Sequence, residues 1–552
     1  MAGKPLIVQS DLTLLLEVND PAFETVRDSI LPFAELVKSP EHVHTYRISR
    51  VSLWNASTSG ITAERILTTL RTYSRYPIPM HVQTFIVEET GKYGRLILEK
   101  RRGKVVLRGD KDLLHEIGQL PEIKRLVPKT TSDGFALKES LRGEIKRILI
   151  KFGYPVKDLA GYVGGGSLPV KLRQANHDSQ GILLRSYQEE AVRSFLAGGD
   201  EGGSGVIVLP CGSGKTVVGL AVMAALQRNT LILAPNVAAV HQWKREIAEK
   251  CEVPPDSVGE YTSDCKEIKP ITITTYQMLT YTKNGSFPHF KILNKGKWGL
   301  IIYDEVHLLP APVFRLTADL QSTRRLGLTA TLVREDGAET EVFSMIGPKK
   351  YDVPWKQLER QGWIAETACY EIGVPFDGPT RVRYLSSPDR QKYRVAAENP
   401  MKLHVIRSLL RLHEKDRVLI IGQYVEQLKQ TAKELNAPLI TGQTSSRKRE
   451  ALYAQFRNGT LSVLVVSKVA NIAIDLPDAN VAIQISGAFG SRQEEAQRLG
   501  RLLRPNSDGG RSKFYTLVTK ETCEQERALH RQLFLIEQGY EYKLMNAEEM
   551  LQ

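Results

Sequence analysis

Cysteine is scarce. Five occur in 552 residues, Cys211, Cys251, Cys265, Cys369 and Cys523, and no two form a CxxC pair. An odd number at wide spacings supports neither a disulfide framework nor a zinc site, and fits a reducing compartment. The histidines form no HExxH grouping, so apart from His307, discussed below, they read as structural or surface residues. No apolar run approaches the ~20 residues that crossing a bilayer takes. The opening MAGKPLIVQSDLTLLLEV has no signal-like apolar core or cleavage site. The expectation is a soluble, cytoplasmic protein with no membrane partner. Low-complexity tracts and short-period repeats are also missing, so disorder is not the default reading.

What is present is length and positive charge. A chain of 552 residues exceeds a single core and predicts about three or four domains. The net charge of +13 favours an acidic partner, most often nucleic acid. From charge alone, a merely basic surface reads almost as well.

The texture changes along the chain. Residues 1–130 mix strand-like patches (LTLLLEV, GRLILE) with helical spacing (TAERILTTLRTYSR). Within them EKRRGKVVLRGDKDLL reads as a basic hairpin, either a DNA contact or a solvated one. Residues 131–180, with GYVGGGSLPVKLRQANHDSQG, read as a linker. From 181 to 355, short buried-type strands (GVIVLP, TLILAP, ITITT, GLIIYDE, RRLGLTA) alternate with helical stretches, the signature of a parallel α/β sheet. PWKQLERQGWIAE reads as a connection, SSPDRQKYRVAAENP as a small helical insertion. A second α/β set (RVLIIG, PLITG, LSVLVVS, NVAIQIS, KFYTLV) fills 356–552. The fold class is therefore α/β, two parallel-sheet lobes after a mixed α+β N-terminal region.

Three stretches carry chemistry. In LPCGSGKTVVGL a strand gives way to Gly212, Ser213, Gly214, Lys215 and Thr216 and then to helical spacing. Glycines let backbone N–H groups turn inward, and the following helix adds its positive N-terminal end. Lys215 would reach the β- and γ-phosphates of ATP, and Thr216 would hold Mg²⁺. Leu209 stands where the general GxxxxGK[ST] pattern has glycine. In LIIYDEVHLLP, Asp304 and Glu305 end an apolar strand, where ionised groups are costly without a partner. Mg²⁺ with a nucleotide supplies one: Asp304 would help hold the metal and Glu305 would orient or deprotonate the attacking water. In GSRQEEAQRLGRLLRP, Ser491 and Glu494 make a capping box and Pro505 stops the helix. Gln497, Arg501 and Arg504 share one face, with Arg498 turned away. Two guanidiniums on one stripe suit a γ-phosphate. Trp243, in LILAPNVAAVHQWKREI, reads as core in preference to a base-stacking platform.

Asp304, Glu305 and His307 as DExH, LTAT at Leu328–Thr331 and QRxGRxxR at Gln497–Arg504 together resemble the superfamily 2 helicases. LTATLVRED, SKVANIAIDLP and EAQRLGRLLRP are similar to those of XPB-type helicases in their compact prokaryotic form, and the likeness spans nearly the whole chain. LRSYQEEAV resembles the family's adenine-reading motif, with Gln188 at the glutamine position and Arg185 ahead of it.

The resemblance implies RecA-like lobes clamping ATP, an N-terminal damage-recognition-like region, and a thumb-like insertion near 380–403. It implies that Thr329, Thr331 and Asp475 couple nucleotide state to DNA grip. Arg334, Glu335 and Asp336 match a triplet associated with strand separation, and His307 and Gln497 would link the lobes. It further implies 3′→5′ movement on DNA, on single strands and duplex junctions, in repair or transcription-linked opening, with a repair nuclease as a candidate partner. Ala470-Asn471 departs from the family's usual Gly-Asp. An ATP-gated scaffold for a nuclease with weak unwinding, or an RNA-dependent motor, stands as the alternative.

Overall fold

The structure is a computed structural model. It describes residues 4–38, 42–58, 60–101, 104–127, 130–131, 134–138, 141–161, 164–173, 182–197, 203–283, 288–289, 292, 295–309, 323–331, 342, 345–467, 479–487, 495, 498–500 and 511–548. The chain forms two compact units, the first running to Asp352 (without Pro210–Ser213) and the second from Val353. Among the described residues no helix is long and apolar enough to cross a membrane.

The first unit opens on a four-stranded antiparallel sheet in the order Leu6–Val8, Thr13–Glu17, Val43–Arg47, Glu35–Lys38. The expected helix lies at Ala63–Tyr73, started by Thr62, whose hydroxyl accepts from the Arg65 N–H. The expected hairpin pairs Leu96–Arg101 with Lys104–Arg108. Its Arg108 turns back on Glu99 at 3.2 Å, and Arg101 pairs with the same carboxylate.

Residues 131–160 differ from the open linker expected of them. Gly134–Leu137 pairs with the hairpin's second strand and Val156–Leu159 with its first, completing a five-stranded sheet. The helix Arg142–Lys151 packs on it, with Ile145, Ile148 and Leu149 sharing a core with Leu98, Leu107 and Phe135. The reason is a polar-looking strand. Asp158 of VKDL faces inward, accepting from Arg142 Nη2 at 2.7 Å and Lys146 Nζ at 2.9 Å. Two buried cations make an inward carboxylate tolerable, and sequence periodicity does not register such a pairing.

The rest of the first unit is a seven-stranded, all-parallel sheet. Its order is Val258–Tyr261, Ile271–Thr275, Thr230–Ala234, Leu300–Asp304, Arg324–Thr329, Ser204–Val208, Lys349–Asp352. The strands are near-continuous Val/Ile/Leu runs because such sheets are covered on both faces. Three neighbours at its centre, Leu300–Asp304, Arg324–Thr329 and Ser204–Val208, pair Asp304 with Leu328 and Thr329 with Val208. Their carboxyl ends therefore finish side by side, where open α/β sheets bind ligands.

The second unit repeats the plan. Its seven parallel strands run Leu439–Ile440, Val463–Ser467, Val418–Gly422, Val481–Gln484, Ser512–Thr519, Thr367–Val374, Tyr542–Asn546. PWKQLER, expected as a connection, is the helix Trp355–Arg360, anchored because Trp355 is buried against Phe534 and Tyr540. The expected helical insertion is a pair of helices, Gly378–Ser386 and Asp389–Ala397.

Candidate active site at the strand ends

The phosphate-loop candidate leaves the strand Ser204–Val208 through Leu209. Leu209 is fully buried and its N–H donates to the Thr329 carbonyl at 3.0 Å. Position 209 is thus still a sheet position, and the missing glycine costs the turn nothing. The turn itself follows: Gly212 at φ 79° and Gly214 at φ 81°, with Ser213 Oγ donating to the Pro210 carbonyl at 2.7 Å. The helix Lys215–Leu226 begins directly after Gly214, with Thr216 as its second residue. The helix's first N–H groups have no intrahelical acceptor.

Gln188 and Arg185 lie at the start of the helix Ser186–Leu196. Gln188 is buried; its Oε1 accepts from the Arg185 N–H at 3.0 Å, and Arg185 Nη1 donates to the Tyr187 hydroxyl at 3.1 Å. The Gln188 amide abuts the loop, for a Cβ on Gly214 would fall 2.6 Å from its Nε2. Gly214→Ala should therefore pay twice. The left-handed backbone alone costs about 1–2 kcal/mol, and the methyl displaces Gln188. A lower melting temperature together with weaker nucleotide binding is the expected result, read by thermal unfolding and a fluorescent ATP analogue.

Lys215 Nζ lies 3.6 Å from Glu305 Oε1. Glu305 adopts a left-handed backbone, φ 48° and ψ 55°, the kind of strain that clusters at functional sites. Asp304, one residue earlier, is held from two directions. The Trp243 indole Nε1–H donates to its Oδ2 at 2.9 Å, and the Tyr276 hydroxyl donates to its backbone carbonyl at 2.8 Å. Burial, helped by the neighbouring Glu305 charge, pushes the Asp304 carboxyl up to about 6, against the opposing pull of the Trp243 bond and Lys215.

His307 is buried and its Nδ1 lies 2.7 Å from Thr329 Oγ1 and 3.5 Å from Glu305 Oε2. The Thr329 hydroxyl donates to the Thr331 carbonyl at 2.5 Å and accepts from the Thr331 N–H at 3.1 Å. Its only proton is thus committed, so His307 Nδ1 must carry the proton it shares with Thr329. His307 thereby ties the acidic strand end to the LTAT strand end, a link within one sheet.

Lys215, Asp304, Glu305, His307, Thr329 and Thr331 are thus brought together, with Gln188 and Gly214 alongside. Arg334, Glu335, Asp336, Asp475, Gln497, Arg501 and Arg504 lie outside the described residues, as do Ser491, Glu494, Pro505 and Ala470-Asn471. In the expected arginine helix, the described Arg498 is buried and donates to Gln484, whose Nε2 donates to Glu495 at 2.8 Å. Tyr276 was missed. Its signal was a bulky phenol directly after the fully buried strand ITITT.

Two half-buried carboxylates and one lysine meet here, and the glycine turn leads directly into that lysine. This donor set fits a polyphosphate with a divalent cation.

Comparison with known proteins bears on the same residues. Residues 358–552 match the family described as ERCC3/RAD25/XPB C-terminal helicase. Residues 181–334 match the type III restriction enzyme res subunit, and residues 6–131 a helicase conserved C-terminal domain. The chain is 49% identical over 554 residues to the DNA 3′-5′ helicase XPB of Mycobacterium tuberculosis, covering 100% of this chain and 99% of that protein. It is 34% identical to the general transcription and DNA repair factor IIH helicase/translocase subunit XPB of Enterocytozoon bieneusi, covering 98% of this chain and 92% of that one. Among solved structures, the Pyrococcus furiosus Hef helicase domain aligns with a TM-score of 0.44 at 15% identity, over 62% of this chain and 97% of that one.

Proposed function

This chain belongs to the XPB family of superfamily 2 helicases, and from that premise we propose a mechanism for its ATP-driven 3′→5′ movement on DNA. The protein is an ATP-hydrolysing DNA helicase/translocase of the kind that serves DNA repair or transcription-linked opening. The observation that carries the site assignment is the convergence of Lys215, Asp304, Glu305 and the His307–Thr329 bond at three adjacent strand ends.

Lys215 and the backbone of Gly212–Gly214 bind the phosphates, Thr216 and Asp304 hold Mg²⁺, and Arg185 and Gln188 read the base. Mg²⁺, when bound with ATP, offsets the charge that grows on the phosphate oxygens. Glu305, released from Lys215 as the lysine turns to phosphate, takes the proton of the attacking water. Arg501 and Arg504 of the second lobe stabilise the γ-phosphate, and Gln497, with His307, links the lobes. His307, protonated at Nδ1, carries a change at Glu305 to Thr329 and Thr331. From there it reaches the DNA-side residues Arg334, Glu335, Asp336 and Asp475. Single strands and duplex junctions are the substrate, and a repair nuclease is the partner this reading favours.

The test is DNA-stimulated ATPase measured with unwinding of a 3′-tailed duplex, with RNA as the competing stimulant. Stimulation by DNA over RNA, with strand displacement, is expected. Lys215→Ala should abolish both activities while the fold persists by circular dichroism. Near-normal turnover in that variant would remove the phosphate assignment, and ATPase without displacement, even with a nuclease added, would favour the scaffold alternative.

A further inference from the structure

We infer that Trp243 is a positioning residue for the metal-holding carboxylate, aiming Asp304 through its indole N–H. The inference rests on the reading of Asp304 given above and deepens it.

The helix Val237–Lys250 follows the strand Thr230–Ala234, and Asn236 Oδ1 starts it by accepting from the Ala239 N–H at 3.0 Å. Val240, Trp243 and Ile247 form its buried stripe. A tryptophan on such a stripe usually supplies area, and its N–H then needs an acceptor. Here the acceptor is Asp304 Oδ2, 2.9 Å away, 61 residues along the chain. The indole is 1% exposed, so its N–H depends on Asp304 and not on bulk water.

Room for the ring is made on the phosphate-loop helix itself. A Cβ on Gly219 would fall 2.6 Å from Trp243 Cη2 and 3.3 Å from Cζ3. The indole is thus wedged between the helix that starts at Lys215 and the strand that ends at Asp304. One carboxylate oxygen is occupied by the indole and the backbone carbonyl is fixed by Tyr276, so the side chain cannot rotate without breaking a buried bond. With Oδ2 taken by the indole and the Glu305 N–H also bonding the carboxylate, Oδ1 is the oxygen offered to a cation. Hydrogen-bond partners of metal ligands typically contribute about 10–100-fold in metal affinity.

Trp243→Phe keeps an aromatic ring on the buried stripe, gives up part of the contact with Gly219 and deletes the donor. In the full chain it should raise the Mg²⁺ concentration for half-maximal ATPase by about 10-fold or more, and excess Mg²⁺ should restore most of the turnover. A purely packing role would instead lower the melting temperature and leave the Mg²⁺ requirement alone. The second readout needs no metal, and uses Trp243→Phe only to assign the signal. In the nucleotide- and metal-free protein labelled at its five tryptophans, the indole resonance lost in Trp243→Phe should move upfield in Asp304→Ala.

An unmoved indole resonance, or an unchanged Mg²⁺ requirement in Trp243→Phe, overturns the inference. Should Asp304→Ala itself leave the Mg²⁺ requirement unchanged, the assignment of Asp304 as the metal-holding residue fails instead.

Discussion

Glu305→Gln should reduce ATP turnover by about 10²–10⁴-fold, the usual contribution of a positioned general base, while ATP binding survives. Glutamine keeps the length and shape of the side chain, so the left-handed backbone at φ 48° is asked of a residue no bulkier than the native one. What is lost is basicity and the charge facing Lys215 Nζ at 3.6 Å. Removing that charge leaves Lys215 freer to meet phosphate, so nucleotide affinity should stay level or rise. Single-turnover hydrolysis and equilibrium binding of a fluorescent ATP analogue separate the two effects. A parallel loss of binding and hydrolysis would mean that Glu305 serves the shape of the site and not the proton transfer.

The second large effect concerns stability. Lys402 Nζ contacts Glu524 Oε1 at 2.8 Å, Oε2 at 2.9 Å and the Ile485 carbonyl at 2.9 Å, and both side chains are buried. Glu524 Oε2 also accepts from the Thr519 N–H at 2.9 Å. Burial pulls the Lys402 ammonium below its ordinary range, and the Glu524 charge holds it partly up.

Glu524→Ala removes that support and leaves a buried cation and an orphaned amide, a cost of about 3–5 kcal/mol. For a lobe of this size, each kcal/mol lowers the melting temperature by roughly 2–4 °C. The loss should therefore be near 6–20 °C, in the transition assigned to the second unit. The double variant Lys402→Met, Glu524→Leu should recover most of it, because a buried pair replaced by apolar side chains of similar volume is often neutral. A shift of under about 2 °C in Glu524→Ala, by the same scale, would show that water reaches the pair.

The described part of the candidate site was legible because its signals are local. Each is a strand end followed within a few residues by glycine, an acidic pair or a threonine, and the parallel sheet then sets those ends side by side. Less legible were contacts whose two halves lie far apart in the chain. Trp243 read as core, and it is core; nothing near it in sequence announces that its N–H is spent on Asp304. Leu209 looked like a defect in the loop pattern until its N–H was seen to pair within the sheet. VKDL falls inside the 131–180 segment that reads as a linker, and PWKQLER reads as a connection. Asp158 is instead neutralised by Arg142 and Lys146, and the buried Trp355 outweighs its charged neighbours.

The five-stranded sheet draws its hairpin from residues 96–108 and its outer strands from residues 130–137 and 156–159. Anyone dividing this molecule for biochemical work at residue 130 would cut through that sheet. The severed hairpin would carry unpaired strand edges and the bared faces of Leu98 and Leu107, an invitation to aggregate. A cut just past Gly161 leaves the sheet whole, and is where limited digestion and truncation should begin.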